Sequence, residues 1–181
     1  SPIVAKPDEN ITYTTVPVGI ILTQKTVITI SMQENPVLTE FASGAVKGVQ
    51  TNLKTRFVLT IMLRIAGRFL QYLKQIEKIS NFMEMRLRKS MKNNELIQLL
   101  DIEKSLMYFS ASLKANEITL EKIMRGRIIR MYEEDQDLLE DVLIEIRQGV
   151  DMSNLYLNVL SGTMDAFASV ISNNLNIVMK V

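Results

Sequence analysis

Hydrophobic and polar positions along the chain change their rhythm once, near residue 53. Before that point they suit strands. Two β-rich runs, Ile11 to Leu22 and Thr26 to Met32, are separated by Thr23-Gln24-Lys25 in hairpin fashion. Val27 to Ser31 predicts a strand with one buried face, and Pro17, which cannot donate to a ladder, predicts an edge, bulge or break in the first run. The stretch before Ile11, with Pro2, Pro7, Asp8, Glu9 and Asn10, reads as a loop. A sheet of only two strands is marginal, so further strands are expected ahead of Ser1. A short helix is expected near Pro36 to Phe41, followed by a connection through Gly44 and Gly48.

From about Leu53 onward no Pro occurs, and apolar residues recur at three- and four-residue steps. Three helices are expected, near 53–91, 94–124 and 135–181. The first has a core stripe of Phe57, Ile61, Ile65, Phe69, Tyr72, Ile76 and Ile79. It ends in Arg86, Arg88, Lys89 and Lys92, cations that suit the negative end of a helix dipole. Asn93-Asn94 predicts a short turn into an antiparallel partner carrying Leu96, Leu99, Leu100, Ile102, Leu106 and Phe109. The fold class expected is α+β. An α/β/α-type sandwich, its N-terminal part lying ahead of Ser1, is followed by long antiparallel helices and a very long C-terminal stalk helix. The chain divides accordingly into 1–52, 53–134 and 135–181.

The last helix is unlike a solvated surface helix. Between Gln148 and Met179 there is no Lys, Arg or Glu, and the only charges are Asp151 and Asp165. Asp151, Asn154, Asn158, Ser161, Asp165, Ser169, Ser172, Asn176 and Met179 instead recur as one narrow seam of small, mostly neutral groups. A coiled-coil core tolerates one or two polar residues that fix its register. Almost eight turns of them in a dry seam would leave many buried polar groups unpaired, at roughly 1 to 3 kcal/mol each. The alternative is a ring of parallel helices with the seam facing water, where amide and hydroxyl groups hold a hydrated cation without trapping it. The pattern runs to Val181 without a stop signal, so this helix is expected to continue.

The head of the same helix is acidic: Glu133, Glu134, Asp135, Asp137, Glu140, Asp141 and Glu145. Asp135 can cap the helix and its neighbours can complement the dipole. Alternatively some of these carboxylates face an adjacent copy and bind magnesium through retained water.

Composition narrows the chemistry. The chain of 181 residues is 47% hydrophobic, enough for a sizeable core, and its 21 basic and 20 acidic residues leave a formal charge of +1, with no global field for nucleic acid. It has no Cys, His or Trp. Zinc sites of the usual kind and Ser-His or Cys-His nucleophiles are therefore excluded, and with no phosphate loop or metal triad an enzyme is not expected. Oxygen-ligand chemistry points to hard cations.

The tail Ser172-Asn173-Asn174-Leu175-Asn176-Ile177-Val178-Met179-Lys180-Val181 resembles the segment entering the first membrane helix of the CorA family of magnesium and cobalt transporters. The long helix with Asp141, Asp151 and Asp165 is similar in spacing to that family's stalk helix. The resemblance implies a homopentamer whose cytosolic funnel leads to two membrane helices per subunit after Val181, in the cell inner (plasma) membrane, with this part on the cytoplasmic side. It implies Asn176 and Met179 at the pore's inner mouth, near Ser172, and a ring of Asp165 above them. Asp141 would hold a regulatory magnesium between subunits. Asp141 sits among extra acids, so Asp137 or Glu140 would share that role; Asp151 and Asp165 are further metal candidates, and a neighbour's Asp8 or Glu9 is a weaker candidate for the second ligand. The transported ions would be magnesium, cobalt and, by extension, nickel. A zinc-transporting relative, or a soluble oligomeric helical scaffold with no transport role, is the competing reading.

Overall fold

A computed structural model of the chain describes residues 1–7, 9 and 11–180. Four short strands come first: β1 (Pro2–Val4), β2 (Tyr13–Thr15), β3 (Val18–Leu22) and β4 (Val27–Ser31). They pair as two separate antiparallel sheets, β1 with β2 and β3 with β4. Pro17 falls between β2 and β3, so the break expected there is what divides the sheets. Pro2–Val4 corrects the expected loop. Proline is tolerated at the first position of an edge strand, and the pairing of Ile3 with Thr14 buries Ile3 and Tyr13.

Helix α1 (Pro36–Ala42) starts where Asn35 Oδ1 accepts the amides of Val37 at 3.1 Å and Leu38 at 3.4 Å, with Pro36 in the first turn. The long helices follow: α2 (Lys54–Ser90), α3 (Asn93–Gly126) and α4 (Glu133–Met179). Small antiparallel sheets followed by long helices are the architecture anticipated above. The last helix begins at Glu133, two residues earlier than expected, because Asp135 acts from inside the first turn. Its Oδ2 accepts the Tyr132 amide at 3.0 Å, one turn back.

The three long helices share one core. Ile61, Ile65, Phe69, Tyr72 and Ile76 of α2 meet Leu99, Ile102, Leu106, Phe109 and Leu113 of α3 and Leu139, Val142, Leu143 and Ile146 of α4. The Phe69 and Phe109 rings pack edge to face at 5.1 Å, and Tyr13 from β2 stacks on Tyr72 at 4.7 Å. At Gly149 the Leu113 side chain of α3 packs directly on the α4 backbone: a Cβ there would lie 3.1 Å from Leu113 Cδ2. The last buried residue of α4 is Met164, and from Ser172 to Lys180 every residue is exposed. At about 1.5 Å per residue, those turns project roughly 12 Å past their supports.

Candidate metal pathway on the last helix

The acidic head of α4 separates into two groups. Glu134 pairs with Arg56 of α2 at 2.6 Å, and Asp135, buried, completes the helix start with Arg56 3.9 Å away. These two hold α4 to α2. Asp137, Glu140 and Asp141 are exposed and carry no ion pair among the described residues, and Asp137 and Asp141 stand one turn apart on one face. Among the described residues no three acidic side chains converge on a common point. A single chain therefore offers one or two carboxylates here. That donor set fits an ion keeping most of its water, and a fuller shell would need oxygens from a second copy.

Further down, hydrogen bonds divide the expected seam. Ser110 donates to Asn154 Oδ1 at 3.0 Å and Ser161 donates to Glu103 Oε2 at 3.2 Å, so these two seam residues are turned onto α3 instead of open water. Asp151, Asn158, Asp165, Ser169, Ser172 and Asn176 remain exposed, and Met179 ends the line exposed as well. This is the polar strip. Beside it, turned by roughly a quarter turn, runs a second open strip with Asp137, Asp141, Ile144, Leu155, Val159 and Val170. Asp141 and Val159 share one direction, being about five whole turns apart.

The two strips have different neighbours. Arg147, Asn154 and Ser161 put α3 on the side of the polar strip: Arg147 reaches Glu117 at 3.2 Å and Glu121 at 3.1 Å. Those two carboxylates hold the guanidinium charged, raising its pKa. Tyr156, which donates to Glu77 at 3.1 Å, and Phe167, under the Arg88 guanidinium at 5.5 Å, put α2 on the side of the second strip. Around α4 the order is thus α3, polar strip, second strip, α2. The Arg147 clamp was not anticipated from the sequence; its only signal is a lone Arg at the border of a stretch without Lys, Arg or Glu.

The remaining candidates are scattered. Asp8 lies outside the described residues. Glu9 is exposed in the connection between β1 and β2, and it does not join Asp137 and Asp141 as a set of three acidic groups. Asp165, Ser172, Asn176 and Met179 lie on α4 at and beyond the end of its supported part. Among the described residues no helix is long and apolar enough to cross a membrane.

This arrangement has counterparts. A family model described as CorA-like Mg2+ transporter protein matches residues 2–181. The cobalt/magnesium transport protein CorA of Methanocaldococcus jannaschii is 33% identical over 84 residues, which is 46% of this chain and 26% of that protein. The complete structure of the CorA magnesium transporter from that organism superposes with a TM-score of 0.72 at 20% identity, covering 97% of this chain and 60% of the other. The structure of its soluble domain gives a TM-score of 0.68 at 21% identity, covering 88% and 70%. The chain spans about a quarter of the curated relative it matches, and the two structures share its fold, with β-strands leading into long helices and one very long last helix. With the family pattern running from residue 2 to residue 181, this chain belongs to the CorA-like Mg2+ transporter family.

Proposed function

We propose that this chain is the cytoplasmic part of a transporter for magnesium and cobalt in the plasma membrane, assembled as a homopentamer. The polar strip of α4 would line the ion's path. One observation carries the reading: Asp151, Asn158, Asp165, Ser169, Ser172 and Asn176 stay exposed along one line of the helix, and no Lys or Arg lies among them. Such a strip facing a water-filled axis presents oxygen ligands to a cation that gives up its hydration shell reluctantly. Asp165 would form an acidic ring, with Ser172, Asn176 and Met179 below it.

Asp141, with Asp137 one turn away, lies on the second strip, the one that faces sideways when the polar strip faces the axis. A magnesium ion held there would bridge neighbouring copies. Without it, carboxylates about 4 Å apart repel by roughly 4 kcal/mol at an effective dielectric of 20. A site half-saturated in the cell contributes about 0.4 kcal/mol, so five interfaces give about 2 kcal/mol, which biases a gate but does not switch it completely. Ions in the path itself would supply the remainder.

The test is limited proteolysis of the long helices with and without magnesium, in the wild-type chain and in Asp141→Ala. Magnesium should protect the wild type and should protect the variant much less. Equal protection in both would remove Asp141 from the mechanism.

A further inference from the structure

The basic stretch that closes α2 is only partly explained by the helix dipole. Arg88 is taken up within the bundle, 2.9 Å from Glu84 and over the Phe167 ring, and Arg86 stands 3.9 Å from Glu95 with its guanidinium over Phe82. Lys89 and Lys92 are exposed and carry no ion pair among the described residues. Lys89, in the last turn of α2, suits the negative end of that helix. Lys92 does not. It caps the start of α3, where hydrogen-bond-accepting side chains are favoured and a cation meets the positive end of the dipole, and it makes no capping bond there. The demands of the fold therefore leave the charge at Lys92 without a role.

The surroundings of this turn are one-sided. Among the described residues from Asn81 to Leu100, the exposed side chains include Arg86, Arg88, Lys89 and Lys92 and no acid, because Glu84 is half-buried and Glu95 is buried. The opposite end of the bundle is mixed: Arg125, Arg127 and Arg130 stand with Glu133, Glu134 and Asp137, all of them exposed. Height along the bundle places the basic turn. Helices α2 and α4 run in step, with Glu77 against Tyr156 and Arg88 against Phe167. The turn after Ser90 is thus level with Val170 and Ile171, beside the last supported turn of α4. From there α4 runs on to Lys180, roughly 13 Å further at 1.5 Å per residue.

We infer that the α2–α3 turn, through Lys89 and Lys92 with Arg86 beside them, docks on anionic lipid headgroups of the membrane toward which α4 runs. The inference rests on the transporter reading above and goes beyond it by giving the bundle a second hold on the membrane, outside the ion path. Charge selects this occupant. An anionic lipid surface attracts basic groups within a screening length of about 8 to 10 Å, and the headgroup layer itself is roughly 5 to 7 Å deep. A surface near the level of Lys180 is therefore within reach of flexible lysine stems on the turn. When the polar strip faces the axis, α2 and α3 lie outside α4, so the turn stands over the lipid side and not over the path. Through Arg88 on Phe167, a turn held at the surface also steadies the last supported part of α4.

The test is partition of the chain, at low salt, onto vesicles of phosphatidylcholine alone and of phosphatidylcholine with phosphatidylglycerol, measured by sedimentation. Phosphatidylglycerol should strengthen partition, and raising the salt should erase the gain. Each lysine near such a surface contributes about fivefold, so Lys89→Gln with Lys92→Gln should weaken partition onto the anionic vesicles about 25-fold. Arg127→Gln with Arg130→Gln, an equal change of net charge at the opposite end, should leave it nearly unchanged. The proposal is overturned by no gain from phosphatidylglycerol, by an equal loss in the arginine pair, or by a gain that inorganic phosphate abolishes at constant ionic strength. Magnesium protection of the long helices alongside any of these results would leave the transporter reading standing. Absence of both the lipid gain and the magnesium protection would remove both.

Discussion

Ser105 shows how much a single side chain organises at the residue scale. Its hydroxyl accepts the amides of Thr12 at 3.2 Å and Tyr13 at 2.9 Å and donates to the Asp101 carbonyl at 3.2 Å, so α3 holds β2 in place. Tyr13 is then fixed over the core, with its hydroxyl donating to Gln75 Oε1 at 2.7 Å and its ring on Tyr72. Burial, and secondarily the charge of Tyr72, raise the Tyr13 pKa above its ordinary value of 10.0. A raised pKa means that the folded state holds the proton more tightly. The associated stability is fully present below pH 10 and is lost as pH rises through the folded-state value. Urea unfolding of the wild type should therefore show falling stability above about pH 10, and Tyr13→Phe should show a flatter alkaline limb. Identical limbs would mean that the phenol is not held protonated by its surroundings.

At the scale of elements, the ends of the long helices show where sequence and backbone disagree. Gly126-Arg127 places a glycine beside the end of α3, and glycine usually supplies the left-handed residue that stops a helix. Here Arg127 takes that conformation, at φ 49°, and Gly126 remains the last helical residue. The glycine meets a different need: a Cβ on it would lie 3.0 Å from Ile128 Cγ1, which folds back over the helix end. Left-handed backbone costs a residue with a Cβ roughly 1 to 2 kcal/mol. Because Arg127 is exposed, Arg127→Gly should raise stability by about 1 kcal/mol in thermal or chemical denaturation, after allowance for glycine's extra freedom when unfolded. A loss of stability would show that the Arg127 side chain holds something in place.

For the molecule as a whole, the unsupported end of α4 is the informative part. Leu175, Ile177, Val178 and Met179 are all exposed, while one turn above Ser172 the helix still leans on Phe167 and Ile171. Few packed side chains hold these turns, so they belong to the low-stability end of the structure. In the separate chain, amide exchange from Ser172 onward should be fast and exchange around Leu139 to Ile146 slow. Assembly of copies should protect the end of α4. No gain in protection on assembly would separate that end from the contacts between copies.

Much of this was legible in the sequence, because helix formation is governed by short-range periodicity. The three long helices, the short helix after the hairpin and the break at Pro17 all follow from neighbours a few residues apart, whereas the turn expected at Asn93-Asn94 falls at Met91-Lys92, with both asparagines inside α3. The polar seam and the resemblance to a transporter family were legible for the same reason, since both lie within one helix. The strand at Pro2–Val4 was not, because its partner is β2, and pairing across a loop leaves no local period. Nor could the sequence divide the seam. Asn154 and Ser161 match Asn158 in kind and spacing, and only the packing of α3 against that side of α4 turned them inward while leaving Asn158, Asp165 and Ser169 in the open. The sequence by itself determined that α4 carries a polar line; the tertiary structure decided which of its members remain free to meet an ion, because a side chain's exposure depends on which helix lies against it.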